Sequence, residues 1–271
     1  MRVLIIGASG FIGTHLIAAA ARQGMEVVAL SRSGLCPTGA VKAYAWSFGQ
    51  PVPDQACDGV SCVVYLAHDF AGEEGARRTF EATLALASQL QAAGIERQIF
   101  FSSYSAGTHA ASFYGQTKYA LEQALAVYQG LIIVRPGLVL GNGGIYGRIR
   151  NWAQRLSVLP LPGGGRGKVP VIEIEKLCRL TLQLVSGEAS ITEANLFEHE
   201  LKSLRELVLE VAAEAGHQPL ILPVSATLLI SILALAARLH IPLPVNADNL
   251  AGFIGNQSAG HISSLTMDGC L

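Results

Sequence analysis

Short apolar runs alternate with amphipathic stretches along the first two thirds of the chain. "RVLIIG", "EVVALSRSG", "CVVYLA", "RQIFFSS" and "LIIVRPGLVLG" are rich in β-branched residues and carry almost no polar positions. A strand apolar on both faces belongs to a sheet covered on both sides. Between the runs, "THLIAAAARQG" and the stretches at roughly 76–93 and 114–128 have helical composition. The alternation predicts an α/β fold with a parallel sheet between two helical layers. After Gly141 the texture changes. "LPLPGGGRGKVP" is a Pro- and Gly-rich connection, and "EKLCRLTLQLV", "SLRELVLEVAAEAG" and "SATLLISILALAARLH" follow as helix-like segments. We expect a sheet domain over 1–160 and a small, mostly helical substrate region over 161–271 that is interleaved with the sheet.

The first strand ends in "GASGFIG", with Gly7, Gly10 and Gly13 between strand and helix. Glycines there allow a tight turn, close backbone approach to a pyrophosphate and close helix packing, while the helix N-terminus favours anionic charge. In this strand-loop-helix setting the triplet points to a dinucleotide and makes the sheet a doubly wound one of Rossmann type. Gly7, Ser9, Gly10, Phe11, Ile12 and Gly13 are the expected contacts. The second strand ends in "LSRSG", where Ser31, Arg32 and Ser33 stand in place of the carboxylate that usually meets the ribose hydroxyls. A guanidinium flanked by hydroxyls suits a 2′-phosphate, so NADP is expected ahead of NAD.

"FYGQTKYALE" sets Tyr114 and Lys118 four positions apart, on one face of a helix. An ammonium near a phenol favours the phenolate and lowers a pKa that is otherwise near 10. Lys118 has a competing partner in Glu122, also one turn away. Charge adds to the picture by exclusion. The 271 residues carry a net charge of −1 and only 14% charged residues, which offers no basic field for nucleic acid. The five cysteines form no CxxC pair and no metal-type spacing, so free thiols, a cytoplasmic setting and no metal are expected.

"GASGFIG", "FFSSYSA" at a strand end, "YGQTK" opening the next helix and "RPGLVLG" after the next strand together resemble the extended short-chain dehydrogenase/reductase family, the nucleotide-sugar epimerase and dehydratase group. The resemblance covers about 1–180. It implies an NAD(P)-dependent oxidoreductase in which Tyr114 exchanges a proton with the substrate oxygen. Lys118 lowers the phenol pKa and holds the nicotinamide ribose. Ser103, the second of the Ser102–Ser103 pair, orients the substrate carbonyl or alcohol. Pro136 and Gly137 resemble the segment that meets the nicotinamide carboxamide, and Ala67 a residue lying against the cofactor. Arg166 resembles a basic residue facing a substrate diphosphate. His68 is expected to cap the cleft on the substrate side. The same resemblance implies pairing of the helices near 81–93 and 114–128 in a homodimer.

Three departures stand out. Thr79 takes the place of an asparagine, the segment from Ser103 to Tyr114 is short, and the substrate region is compact. Reduction of a ketone and epimerisation of a sugar carbon through a transient ketone both use the same three side chains. A catalytically silent NADP-binding sensor or assembly protein is the alternative. The run 225–240, bracketed by Pro223 and Pro242, is too short to span a bilayer and is expected to pack as a wall of the substrate region.

Overall fold

The computed structural model describes residues 1–187, 191–239, 243, 245–255, 260–266 and 269–271; Pro242 and the end of the 225–240 run at His240 lie outside them. Seven strands make one parallel sheet: β1 (Arg2–Ile6), β2 (Glu26–Ser31), β3 (Lys42–Ala45), β4 (Cys62–Tyr65), β5 (Arg97–Phe101), β6 (Leu131–Pro136) and the strand Glu193–Leu196. Their spatial order is Glu193–Leu196, β6, β5, β4, β1, β2, β3. The winding reverses between β1 and β4, and a Rossmann-type sheet opens its ligand crevice at such a reversal.

The helices of the described residues are α1 (Phe11–Arg22), α2 (Asp54–Cys57), α3 (Gly72–Ala92), α4 (Phe113–Leu125), α5 (Gly144–Ala153), α6 (Ile174–Ser186), α7 (Leu204–Glu214), α8 (Ala226–Arg238) and α9 (Ala247–Gly255). Alternate strand residues explain why the runs are wholly apolar. Val3 and Ile5 of β1 pack with Leu16, Ile17, Leu177 and Leu180 of α1 and α6. Leu4 and Ile6 face the other way, into Leu86, Leu90, Leu121 and Leu125 of α3 and α4. Each strand feeds two cores, because successive side chains point to opposite faces.

Residues beyond 160 return to this sheet through α6 and the strand Glu193–Leu196. The remainder forms a small layer of α5 and α7 with three two-stranded ribbons: Leu138–Leu140 with Val171–Glu173, Val158–Pro162 with Leu220–Val224, and Lys168–Val169 with Lys202–Ser203. It has its own core of Ala153, Leu159, Leu161, Leu204, Val208 and Val211. The free edge of Glu193–Leu196 is covered by the chain's last segment. Ser264 N–H donates to the Asn195 carbonyl at 2.9 Å, and Asn195 N–H donates to Ser264 Oγ at 2.8 Å.

α8 departs from the expectation of a buried wall. Leu233 and Ala236 are buried, but Leu228, Ile232 and Leu235 form an outward stripe at helical spacing, and their exposures are 53, 48 and 57%. Its neighbour is α9 alone to any extent, so one face is covered and the other is open. Among the described residues no helix is long and apolar enough to cross a membrane.

Candidate active site

β1 runs into Gly7, whose φ of 91° lies in the left-handed region that suits glycine. The turn is fixed by Gly7 N–H and Ala8 N–H, which both donate to the Leu30 carbonyl, and by Gly10 N–H, which donates to the Gly7 carbonyl at 3.0 Å. Space forbids side chains here. A Cβ on Gly7 would lie 2.7 Å from Ala67 N, and one on Gly13 would lie 2.5 Å from the Gly7 carbonyl. α1 begins at Phe11 with Gly10 as N-cap and no side chain capping it. The amides of its first turn therefore have no intrahelical acceptor and present positive charge to the crevice.

That crevice has a volume of about 330 Å³ and is lined by Gly7, Ser9, Gly10, Ser31, Arg32, Ala67 and His68 among the anticipated residues. Trp46, Ser47 and Phe48 complete one end, and Asp69 and Phe70 the other. The cradle, the open helix terminus and the absence of room for a Cβ fit a dinucleotide pyrophosphate. Ser33 supports the lining from behind, with its Oγ 3.3 Å from Ser31 Oγ.

Other anticipated contacts stand outside the lining. Phe11 turns its ring away into "GNGG", where Gly141 and Gly143 leave no room for a Cβ against it. Ile12 packs into the core beneath α1. Pro136 gives its carbonyl to Tyr104 N–H at 3.1 Å, and Gly137 N–H donates to the Leu196 carbonyl at 3.1 Å. Arg166 sits exposed at the end of the Gly163–Gly165 turn, on the layer formed with α7 and Leu220–Val224, and not at the crevice.

The tyrosine helix α4 starts at Ser112, whose Oγ accepts from Gly115 N–H at 3.0 Å. Asp248 of α9 adds a second acceptor, 2.7 Å from Phe113 N and 3.3 Å from Tyr114 N. The Ser103 hydroxyl lies beside the Tyr114 phenol, and its Oγ is 2.9 Å from Ser105 Oγ. Ser102 points the other way and donates to Glu122. The structure thus brings Ser103 to the phenol and leaves Ser102 beneath it.

Lys118 is buried, with Nζ 5.7 Å from the Tyr114 ring centroid, and donates to the Phe101 carbonyl at 2.6 Å. Burial sets both ionisations in the free chain. It pushes the Tyr114 phenol up to about 12, against the influence of the neighbouring Ser103 hydroxyl, and pulls Lys118 down to about 7, against the charge of Glu122. Desolvation dominates the phenol, and the group that opposes it is Ser103 and not the expected ammonium of Lys118.

His68 and Phe70 link the crevice to the phenol. His68 meets Tyr114 edge-on at 4.7 Å, and Phe70 stacks on Tyr114 at 5.7 Å with 21° between planes. Burial, and then the neighbouring Lys118 charge, lowers His68 to about 3, so it is a neutral imidazole. Its Nδ1 is buried without a hydrogen-bond partner among the described residues.

The chain belongs to the NAD dependent epimerase/dehydratase family, whose model matches residues 3–191. It is an NAD(P)-dependent enzyme of the short-chain dehydrogenase/reductase type. A comparison with curated proteins gives no match. Among solved structures, MoeE5 in complex with UDP-glucuronic acid and NAD is 25% identical, with a TM-score of 0.71 over 83% of this chain and 86% of that one. TunA, an NAD dependent NDP-hexosamine 5,6-dehydratase involved in tunicamycin biosynthesis, is 17% identical, with a TM-score of 0.68 over 95% and 97%. UDP-N-acetylglucosamine 4-epimerase from Bacillus cereus is 15% identical, with a TM-score of 0.67 over 97% and 98%. The last two likenesses are of fold.

Proposed function

We propose that the chain interconverts an alcohol and a ketone on a nucleotide-linked sugar, as an epimerase or a ketoreductase, with Tyr114 as the acid/base. The observation that carries this reading is the Ser103 hydroxyl beside the buried Tyr114 phenol, next to a crevice built for a dinucleotide. A nicotinamide dinucleotide, when bound, supplies hydride exchange. The chain's own residues do the rest. Tyr114 gives a proton to the substrate oxygen as a ketone is reduced and takes it back as an alcohol is oxidised. Ser103 shares that oxygen and holds it on the phenol. Lys118 supplies positive charge one turn below. A phenol held neutral by burial is ready as an acid, and its work as a base requires a cation drawn close, so the ammonium form of Lys118 is the active one.

The substrate is proposed to be nucleotide-linked on the family's account and on MoeE5, which is described with UDP-glucuronic acid and UDP-glucose. The proposed preference for NADP rests on Arg32, exposed at the crevice between Ser31 and Ser33, with no carboxylate at that end of the lining. MoeE5 is described with NAD, so the two cofactors need to be compared directly. The test of the function is incubation of the protein with UDP-, TDP- and GDP-hexoses and either oxidised cofactor, followed by nuclear magnetic resonance of the sugar. A new epimer or ketosugar is expected. Its absence with every donor, in protein that binds the cofactor, would favour a sensor.

A further inference from the structure

Asp248 stands in the first turn of α9, where a carboxylate ordinarily serves the amides of its own helix. That task is already done, because Asn246 Oδ1 accepts from Asn249 N–H at 2.7 Å. Both Asp248 oxygens go instead to the tyrosine helix, Oδ1 at 2.7 Å from Phe113 N and Oδ2 at 3.3 Å from Tyr114 N. Gly115 N–H is taken by Ser112 Oγ and Gln116 N–H by the Ser112 carbonyl, so each amide in the first turn of α4 has an acceptor. In α1 no side chain caps that turn. Helix ends are the first part of a helix to fray, and Tyr114 is the second residue of α4.

The face of α9 that carries Asp248 is shaped for this contact. Gly252 and Gly255 follow at helical spacing, and a Cβ on them would lie 2.9 Å from Ser112 Oγ and 3.0 Å from Ala111 Cβ. A second contact from the same end of the chain reaches the serine side. His261 Nε2 lies 2.7 Å from the Ala106 carbonyl, and since a carbonyl only accepts, the imidazole is the donor. The His261 ring also meets Tyr104 edge-on at 5.5 Å. Ala106 N–H donates to the Ser103 carbonyl at 3.0 Å and Ser105 N–H to Ser103 Oγ at 3.2 Å. The turn that His261 holds is therefore the turn that aims Ser103.

We propose that Asp248 and His261 are positioning residues that hold Tyr114 and Ser103 at a working separation, Asp248 through the backbone of the tyrosine helix and His261 through the serine turn. Neither lines the crevice. Tyr114 and Ser103 belong to different elements, α4 and the turn after β5, and proton transfer requires both to meet one substrate oxygen. A misplacement of about 1 Å in such a pair costs about a hundredfold in rate. The inference rests on the reading of Tyr114 as the acid/base and adds what keeps it in register with Ser103.

The experiment compares the full chains of wild type, Asp248→Ala, Asp248→Asn, His261→Ala and His261→Gln. Cofactor affinity, and kcat and KM with UDP-glucose, TDP-glucose and GDP-mannose, are measured beside thermal melting. The Cζ resonance of Tyr114 is followed in protein with carbon-labelled tyrosine and is assigned by its loss in Tyr114→Phe. In either alanine variant kcat is expected to fall about ten- to hundredfold, with KM and cofactor affinity near wild type and the Tyr114 line shifted or broadened. Asn keeps an acceptor and Gln a donor at similar reach, so these variants are expected to recover most of kcat and a wild-type line. Alanine variants that melt earlier yet keep the wild-type kcat and Tyr114 line would overturn the proposal, and so would a loss confined to KM or cofactor affinity. Wild type that turns over none of the three donors would count against the nucleotide-sugar reading, and the Tyr114 line then decides the positioning role alone. A line displaced in the alanine variants and restored by Asn and Gln upholds that role, and an unchanged line overturns it.

Discussion

Glu122 lies one turn beyond Lys118 on the buried face of α4, yet both its carboxylate oxygens go to Arg135, at 2.8 Å to Nε and 2.7 Å to Nη2. The lysine instead donates to the Phe101 carbonyl and lies over the Phe100 ring at 4.7 Å. Arg135 also meets Glu193 at 2.7 Å, so this pair ties the tyrosine helix to β6 and to the edge strand. Breaking a buried pair from one side leaves an uncompensated charge and costs about 3–5 kcal/mol. Arg135→Met is expected to lower the unfolding free energy, read from denaturant melts, by that amount, and the double variant Arg135→Met with Glu122→Gln to recover most of it. A double variant no more stable than the single one would show that the pair does not act as a unit.

The Lys118 pKa, depressed to about 7 from an ordinary 10.5, makes folding pH-dependent. Between these values the unfolded chain binds a proton that the folded chain refuses. Stability is present in full above the ordinary lysine pKa and is lost as pH falls toward 7, with no further loss from this group below. The denaturant midpoint of wild type is expected to rise from pH 7 to pH 10 more steeply than that of Lys118→Met. Parallel profiles would contradict the depressed lysine.

Gly143 has extended backbone with a φ of −157°, which any residue adopts, so only the Phe11 ring demands glycine there. Gly143→Ala is expected to destabilise by about 1–3 kcal/mol through overpacking, and Phe11→Ala in the same chain to relieve that penalty. Thermal melting of the two singles and the double checks it. Additive losses would show that the ring and the loop do not oppose each other.

For Arg32, the expected outcome concerns which cofactor binds. Arg32→Asp should weaken NADPH by about tenfold or more, the worth of a charge-assisted contact, and leave NADH little changed. Fluorescence titration of both cofactors checks it, and equal affinity of the wild type for the two would contradict the 2′-phosphate role.

Five strands were legible because each is buried on both faces and reads as an unbroken apolar run. Two were not. β3, "KAYA", and Glu193–Leu196, "EANL", lie at the two edges of the sheet, where burial is partial and no run is needed. With β3 unseen, Trp46, Ser47 and Phe48 at the end of the crevice were unseen as well. The glycine cradle and the Tyr114–Lys118 spacing could be read from a turn and a helical repeat, whereas Ser103 and the roles of all three side chains came only from the resemblance to the family. Glu122 and Arg135 could not be paired, since strand order brings them together and not sequence separation. The outward stripe of α8 misled in the opposite sense, because apolar composition tells how much surface wants cover and not whether the fold supplies it.

The central claim is that Tyr114 moves the proton while the crevice holds the cofactor independently of it. The most direct measurement is cofactor binding and sugar-nucleotide turnover in one preparation, for wild type and Tyr114→Phe. The account predicts similar cofactor affinity in both and a loss of turnover of about 10²- to 10⁴-fold in the variant, the usual contribution of a general acid/base. A Tyr114→Phe protein that keeps most of the wild-type rate would contradict it.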